Sequence, residues 1–125
     1  MKYMMIAHAT KDSEASVPPN PKLMAAIGKL AQEMMAKGQF VTMGGLAPSA
    51  MGARFRLKGG KVTVTDGPFT EAKEIIGGYA IVEVKSKDEA VALSRRFWQI
   101  HADILGPSYE ATGEIRLLFE PPPGP

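Results

Sequence analysis

The sequence contains no cysteine, which excludes disulfides, thiolate nucleophiles and cysteine-based metal sites. No apolar run approaches the roughly 18 residues that a membrane-spanning helix needs, so we do not expect a membrane protein. The chain also lacks a block of lysines or arginines, and its formal net charge is only +2, which argues against nucleic-acid binding. The N-terminal segment has no long apolar region before a cleavage site, so we expect a cytoplasmic protein.

Histidine is scarce as well. His8 and His101 are the two histidines, and no HExxH motif, serine elbow or phosphate-binding glycine loop accompanies them. Their distance along the chain and the lack of a third spaced ligand make a metal site a poor interpretation, and we predict no cofactor. His8 lies near the end of the first predicted strand, and the sequence leaves open which face of that strand it occupies.

What the sequence does contain is typical of one globular domain. Its 125 residues are 45% hydrophobic and 22% charged, which is enough to bury a single core. We predict one domain over residues 1–120, followed by a disordered proline-rich tail at 121–125.

Hydrophobic periodicity and end signals predict two long helices among several strands. Asn20 and Pro21 predict the start of the first helix, and Ser86 with Glu89 forms a capping box before the second. The predicted strands are 3–9, 39–43, 54–58, 61–65, 79–85 and 114–119; the predicted helices are 21–37, a short one at 70–76, and one that ends at 105. This order predicts an α+β fold in which both long helices cover one face of an antiparallel sheet. The other face would need a cover, and a second subunit is the obvious one.

Gly59–Gly60 predicts a two-residue hairpin turn. It would pair Leu57 with Val62 and Phe55 with Val64 on one face. The opposite face carries two arginines, and it is either a solvated outer surface or a contact for an anionic substrate.

His101 falls on the predicted buried stripe of the last helix, beside two aromatic residues. It is either a core histidine with a hydrogen-bond partner or an acid–base group that lines a pocket. Asp103 is the nearest acid, but positions two apart on a helix point about 200° away from each other. A catalytic pair of His101 and Asp103 therefore requires a break in the helix between them.

Residues 66–74 read DGPFTEAKE, and IIGGYAIVEVKSKDEA follows directly. This combination closely resembles the DGPF branch of the YCII-related family, and MKYMMIAHATKDSEA and FWQIHADILGPSYEATGEIRLLFE are similar to the same branch. The resemblance covers nearly the whole chain. It implies a ferredoxin-like fold and a dimeric α+β barrel. Some relatives resemble small acid–base enzymes that act on ring compounds.

The chain departs from the short form of that family in one respect. The resemblance implies a histidine early in the first long helix and an aspartate near its far end. Here these regions read NPKLMAAIG and QEMMAKGQ, with no histidine and with Glu33 as the nearest acid.

The DGPF tetrad is expected to form a rigid corner, because Gly67 and Pro68 restrict the chain direction and Asp66 can bond to nearby backbone amides. We hypothesise that this corner borders a cleft at the barrel mouth into which His101 points. The residues assigned to binding are Asp66, Phe69, Lys73, Tyr109 and Arg116.

Two functions of different classes remain open at this point. The first is an acid–base lyase or isomerase with a pocket for a small anionic or aromatic molecule, in which His101 acts as the acid or base. The second is a non-catalytic ligand-binding or accessory module. A homodimer is expected in both cases. An open cavity that holds His101 and an acid would favour the enzyme, whereas a dry, filled barrel interior with His101 bonded only to backbone would favour the binding module.

Overall fold

The computed structural model describes residues 1–69 and 75–121. In this part of the chain, three α-helices and six strands form a mixed α+β fold, as predicted. In chain order they are β1 (Lys2–His8), α1 (Lys11–Glu14), α2 (Pro21–Ala36), β2 (Phe40–Gly45), β3 (Ala53–Lys58), β4 (Lys61–Asp66), β5 (Ile76–Glu83), α3 (Lys87–Leu105) and β6 (Gly113–Leu117), with a 3-10 turn at Ser49–Met51 between β2 and β3. Most of the predicted short helix (70–74) and most of the predicted tail (122–125) lie outside the described residues.

The ends of α2 follow from local chemistry. The side chain of Asn20 accepts hydrogen bonds from the backbone N–H groups of Lys22 (2.8 Å) and Leu23 (3.2 Å), and Pro21 occupies the first helical position. Gly38, with φ of 69°, follows the last turn and allows the chain to leave the helix in the left-handed region. Both predicted ends are therefore confirmed to within a residue.

The start of α3 is held by two side chains. Ser86 accepts a hydrogen bond from the backbone N–H of Glu89 at 3.1 Å. The Glu89 carboxylate in turn accepts from the Lys85 backbone N–H (2.9 Å) and from the Gln39 side-chain amide (2.7 Å). The predicted capping box is thus present in half: the serine hydroxyl accepts from Glu89 as expected. The Glu89 carboxylate accepts from the backbone N–H of Lys85, one residue before the N-cap N–H that the standard motif uses.

Four strands form an antiparallel sheet in the order β2–β5–β1–β6. Helices α2 and α3 pack against each other and cover one face of this sheet. The hydrophobic core lies between the two helices and the sheet. The sheet side contributes Tyr3, Met5, Ala80, Val82 and Val84, and the helices contribute Leu30, Ala31, Met34, Ala90 and Leu93. The predicted placement of two helices on one sheet face is therefore observed.

The other face of the four-stranded sheet, here called the outer face, is covered by no helix of the described chain. Strand alternation places Met4, Ile6, Tyr79 and Ile81 on it, and each of these side chains is partly exposed. In the described chain the four-stranded sheet is open and does not close into a barrel. A barrel would need a second sheet against this outer face.

Strands β3 and β4 form a separate two-stranded sheet joined by Gly59–Gly60. The predicted pairs Leu57–Val62 and Phe55–Val64 are confirmed. Their apolar side chains are nevertheless 59–73% exposed, so the described chain itself gives this face no cover.

Two differences from the predicted elements have local causes. The segment expected to be a polar loop contains α1, because Thr10 and Ser13 form a reciprocal capping pair that starts a helical turn. Strand β5 begins three residues earlier than predicted, at Ile76, because Gly77 and Gly78 belong to the strand although glycine is a poor strand former.

Candidate functional site

A cavity of about 730 Å³ lies between the helices and the sheet. Its volume falls within the range that small-molecule sites usually have, roughly 300–1,000 Å³. Most of its lining is apolar. The apolar side chains that contribute are Met5, Met24, Ile27, Leu30, Met34, Met43, Val91, Phe97, Trp98 and Ile115.

The floor of this cavity is a row of residues that have almost no side chains. Gly45 pairs with Gly78, Gly78 pairs with Ala7, and Ala7 pairs with Gly113, so the row crosses all four strands. It lies two residues along each strand from the row that contains Met5 and Ala80, and therefore faces the helices. The row thus consists of three glycines and one alanine, and no side chain larger than a methyl group projects from it towards the helices.

The glycines of the lining differ in what surrounds them. A Cβ atom added to Gly45, or to Gly28 on α2, would have no heavy atom within 4 Å, so both positions face open space. A Cβ on Gly113 would lie 2.4 Å from Cζ2 of Trp98, so the indole ring occupies the space above this glycine. Trp98 therefore closes the β6 end of the row.

Polar groups are few in the lining, and their hydrogen bonds differ. The hydroxyls of Thr10 and Ser13 bond to each other and to the backbone of the α1 cap. The hydroxyl of Ser94 is buried and has no hydrogen-bond partner in the described structure. Arg95, next to it on α3, is exposed and also lines the cavity.

His101 is buried behind the wall of the cavity and is not one of its lining residues. Its Nδ1 lies 2.8 Å from the carbonyl oxygen of Phe97, which can only accept, so Nδ1 carries the proton and donates it. The imidazole contacts three aromatic rings, with centroids at 4.5 Å (Phe97), 5.1 Å (Trp98) and 5.9 Å (Tyr109). These contacts support the aromatic wall from behind.

Asp103 does not approach His101. Its carboxylate accepts a hydrogen bond from the Gln99 amide at 2.8 Å on the exposed side of α3, and the helix is continuous through both positions. The two residues that the sequence places together as a catalytic pair are thus on different sides of one helix.

Tyr109 is the one predicted binding residue that lines the large cavity. Burial, reinforced by the charge of Asp12, raises the pKa of its phenol. The phenol therefore stays protonated at neutral pH and can donate a hydrogen bond.

The DGPF corner packs against the 3-10 turn and not against His101. A Cβ on Gly67 would lie 1.7 Å from the carbonyl oxygen of Ser49, so only glycine allows this approach. Ser49 is buried; its hydroxyl donates to the carboxylate of Glu14 and accepts from the Phe69 backbone N–H at 3.0 Å. These hydrogen bonds of Ser49 tie the corner to both α1 and the 3-10 turn. The Gly67–Pro68 peptide bond within the corner is cis.

The corner borders a pocket of its own, of about 360 Å³. Phe69 and Arg54 both line it, and the Arg54 guanidinium lies 4.2 Å from the centroid of the Phe69 ring. Asp66 ends β4 in the pair with Ala53. Lys73, which the sequence assigns to the same cleft, lies outside the described residues.

Arg116 lies on the outer face of the sheet with Glu114 and His8. Glu114 accepts from His8 Nε2 at 3.1 Å and lies 3.5 Å from Arg116. The His8 hydrogen bond, followed by that of Arg116, lowers the pKa of the Glu114 carboxyl. Glu114 pairs with Ile6, so this cluster shares the outer face with Ile6 and Met4, which settles the side of the strand that His8 occupies.

Sequence patterns alone did not single out the glycine row, Ser94 or Arg95. The stripe of α3 includes Ser94, but nothing local shows that its hydroxyl lacks a partner. Glycines at 45, 78 and 113 stand out only once the strands are aligned in register. None of the described helices has both the length and the apolarity to cross a bilayer, and the described residues contain no group of three metal-ligating side chains.

Comparison with known proteins gives a family and one relative. The protein from Rhizobium meliloti (strain 1021) named "Uncharacterized protein R00369" is 28% identical over 74 residues, which is 59% of this chain and 60% of the relative. The matched region thus spans less than two thirds of that relative's length. Residues 1–104 match the YCII-related domain. Because this match includes most of the chain and all elements up to the end of α3, the protein belongs to the YCII-related domain family.

Proposed function

We propose that this protein binds a small aromatic or alicyclic molecule in the cavity between its helices and its sheet. The observation that carries the proposal is the row of three glycines and one alanine, Gly45, Gly78, Ala7 and Gly113, on the floor of this cavity. A packed core normally leaves few voids larger than a water molecule, because each void loses contact energy. A cavity of about 730 Å³ beside this row therefore has the size expected of a binding site for a small molecule.

Binding is favoured over acid–base catalysis by His101. The imidazole is bonded to the backbone of its own helix and is absent from the cavity lining. A general base must come within hydrogen-bond reach of the proton that it removes, and His101 has the aromatic wall between itself and the cavity. His101 is therefore not placed to act as the acid or base of the lyase or isomerase activity that the resemblance implies.

The test is the binding of a neutral aromatic probe, 2-naphthamide, measured by calorimetry with the wild type and two variants. Gly45→Leu would place a side chain into the open space above the floor, and we expect it to weaken binding by about tenfold or more, equivalent to about 1.4 kcal/mol. Val41→Leu enlarges a side chain of the same strand outside the cavity and should leave the affinity unchanged. Absence of binding to the wild type would refute the proposal.

The proposal includes the finer family assignments that the sequence suggests. The DGPFTEAKE segment supports the DGPF branch of the family. The strand order β2–β5–β1–β6, with α2 and α3 on one face, supports a ferredoxin-like topology with the β3–β4 hairpin as an insertion.

A homodimer is also part of the proposal. The outer face of the sheet and the apolar face of the hairpin both have partly or largely exposed hydrophobic side chains. A second copy placed with its outer face against this one would cover the sheet, and the two sheets would then form the barrel.

A further inference from the structure

We infer that the molecule bound in the cavity carries a carboxylate, which Arg95 and Ser94 hold at the α3 wall. This inference rests on the proposed binding function and names the chemical class of its ligand. The ligand class is an aromatic carboxylate: a ring system for the apolar interior and an anionic group for the arginine.

The first observation is the position of Arg95. It lies four residues from Val91 and three from Trp98, both of which line the cavity, so it is on the same face of α3. An exposed residue that lines a cavity stands at its opening. In the described structure no carboxylate pairs with Arg95, whereas its neighbour Arg96 forms an ion pair with Glu33. One arginine of the pair is thus occupied and the other is available to an anion.

The second observation is the hydroxyl of Ser94. A buried hydroxyl without a partner destabilises the fold, and native proteins leave few such groups. The other two hydroxyls of the lining, Thr10 and Ser13, satisfy each other. A carboxylate oxygen next to Ser94 would accept its proton while the guanidinium of Arg95 donates to the same group.

The third observation is the charge of the remaining lining. His8 and Glu114 contribute to it, but their side chains pair with each other on the outer face. Among the described residues that line the cavity, Arg95 is therefore the charged side chain available to a ligand. A single cation beside an apolar, aromatic-walled space fits a ligand that is apolar at one end and anionic at the other.

The experiment compares two probes of nearly equal shape, 2-naphthoate and 2-naphthamide, by calorimetry at neutral pH. We expect the wild type to bind the carboxylate about tenfold more tightly than the amide, since hydrogen bonds to a charged group are stronger than those between neutral groups. Arg95→Gln should remove this preference by weakening naphthoate binding about tenfold. Ser94→Ala should weaken carboxylate binding, and Arg96→Gln, at the neighbouring ion pair, should preserve the wild-type preference.

The outcomes separate the inference from the function on which it rests. If both probes bind equally well, or if Arg95→Gln keeps the preference for naphthoate, the carboxylate subsite is refuted and cavity binding stands. If neither probe binds the wild type, both proposals fail. Unfolding curves of the three variants are recorded in parallel; Arg95 and Arg96 are both exposed, so these substitutions should leave the unfolding midpoint near that of the wild type.

Discussion

At the scale of single residues, Gly67 shows why the DGPF segment needs its glycine. The carbonyl oxygen of Ser49 would lie 1.7 Å from a Cβ atom at this position, and Ser49 cannot retreat without losing its bonds to Glu14 and Phe69. We expect Gly67→Ala to lower the free energy of unfolding by about 1–3 kcal/mol or more, the usual cost of overpacking. Urea unfolding measures this.

Gly52 provides the matched control for Gly67. It directly follows the 3-10 turn, and its Cβ would lie 3.6 Å from the same carbonyl oxygen of Ser49, an ordinary contact. Gly52→Ala should therefore change stability by no more than about 0.5 kcal/mol. Equal effects of the two substitutions would contradict the steric explanation of the corner.

We expect His101 to contribute to the stability of the fold and not to ligand binding. We predict that His101→Gln lowers the free energy of unfolding by about 1–3 kcal/mol, because the buried Phe97 carbonyl loses its side-chain partner and three rings lose a neighbour. The affinity for 2-naphthamide should stay within about threefold, since Trp98 and Tyr109 still form the wall. Loss of affinity by more than about tenfold in a folded variant would instead give His101 a direct part in the site.

At the scale of secondary-structure elements, the start of α3 should respond to pH. The Lys85 backbone N–H, followed by the Gln39 amide, lowers the pKa of the Glu89 carboxyl below its usual value of 4.5. A lowered pKa in the folded state means that Glu89 stabilises the fold above about pH 4.5 and that this contribution is lost as the pH falls through the folded-state pKa. We predict that Glu89→Gln makes the decline of stability between about pH 5 and 3 shallower than in the wild type.

Asp88 is the control for this prediction. It belongs to the same first turn of α3 and carries the same charge, but the described structure gives its side chain no hydrogen bond. Asp88→Asn therefore removes a charge from the same helix end and leaves the hydrogen bonds of Glu89 in place. A shallower slope in both variants would show that the helix-end charge, and not the hydrogen bonds of Glu89, causes the pH dependence.

The helix ends are also the part of the fold that the sequence predicts best. Asn20, Ser86, Gly38 and Gly106 determine them through contacts with residues two to four positions away, so the information is local. The cavity could not be predicted in the same way. It depends on which glycines of four separate strands meet in one row, and on a buried hydroxyl that finds no partner after packing. Both are properties of register and tertiary contact.

At the scale of the whole molecule, the apolar face of the β3–β4 hairpin is left uncovered by the described part of the chain. Phe55, Leu57, Val62 and Val64 project from one face and are 70%, 73%, 63% and 59% exposed. Large apolar patches of this kind on a folded chain usually mark an interface, and a stable interface buries about 1,200–2,000 Å² in total. The outer face of the four-stranded sheet, which no described helix covers, is a second surface that such an interface could include.

We therefore predict a homodimer whose stability depends on the apolar face of the hairpin. Light scattering at micromolar concentration should give the mass of two chains for the wild type and of one chain for Leu57→Glu, because a carboxylate in the interface would lose its hydration without a partner. Thr63→Glu introduces the same charge on the opposite, solvated face of β4 and should leave the dimer intact. A wild-type monomer would refute the dimer itself. A dimer that survives Leu57→Glu would confine the interface to the outer face of the sheet, where Met4, Ile6 and Ile81 lie, and would leave the hairpin for another partner.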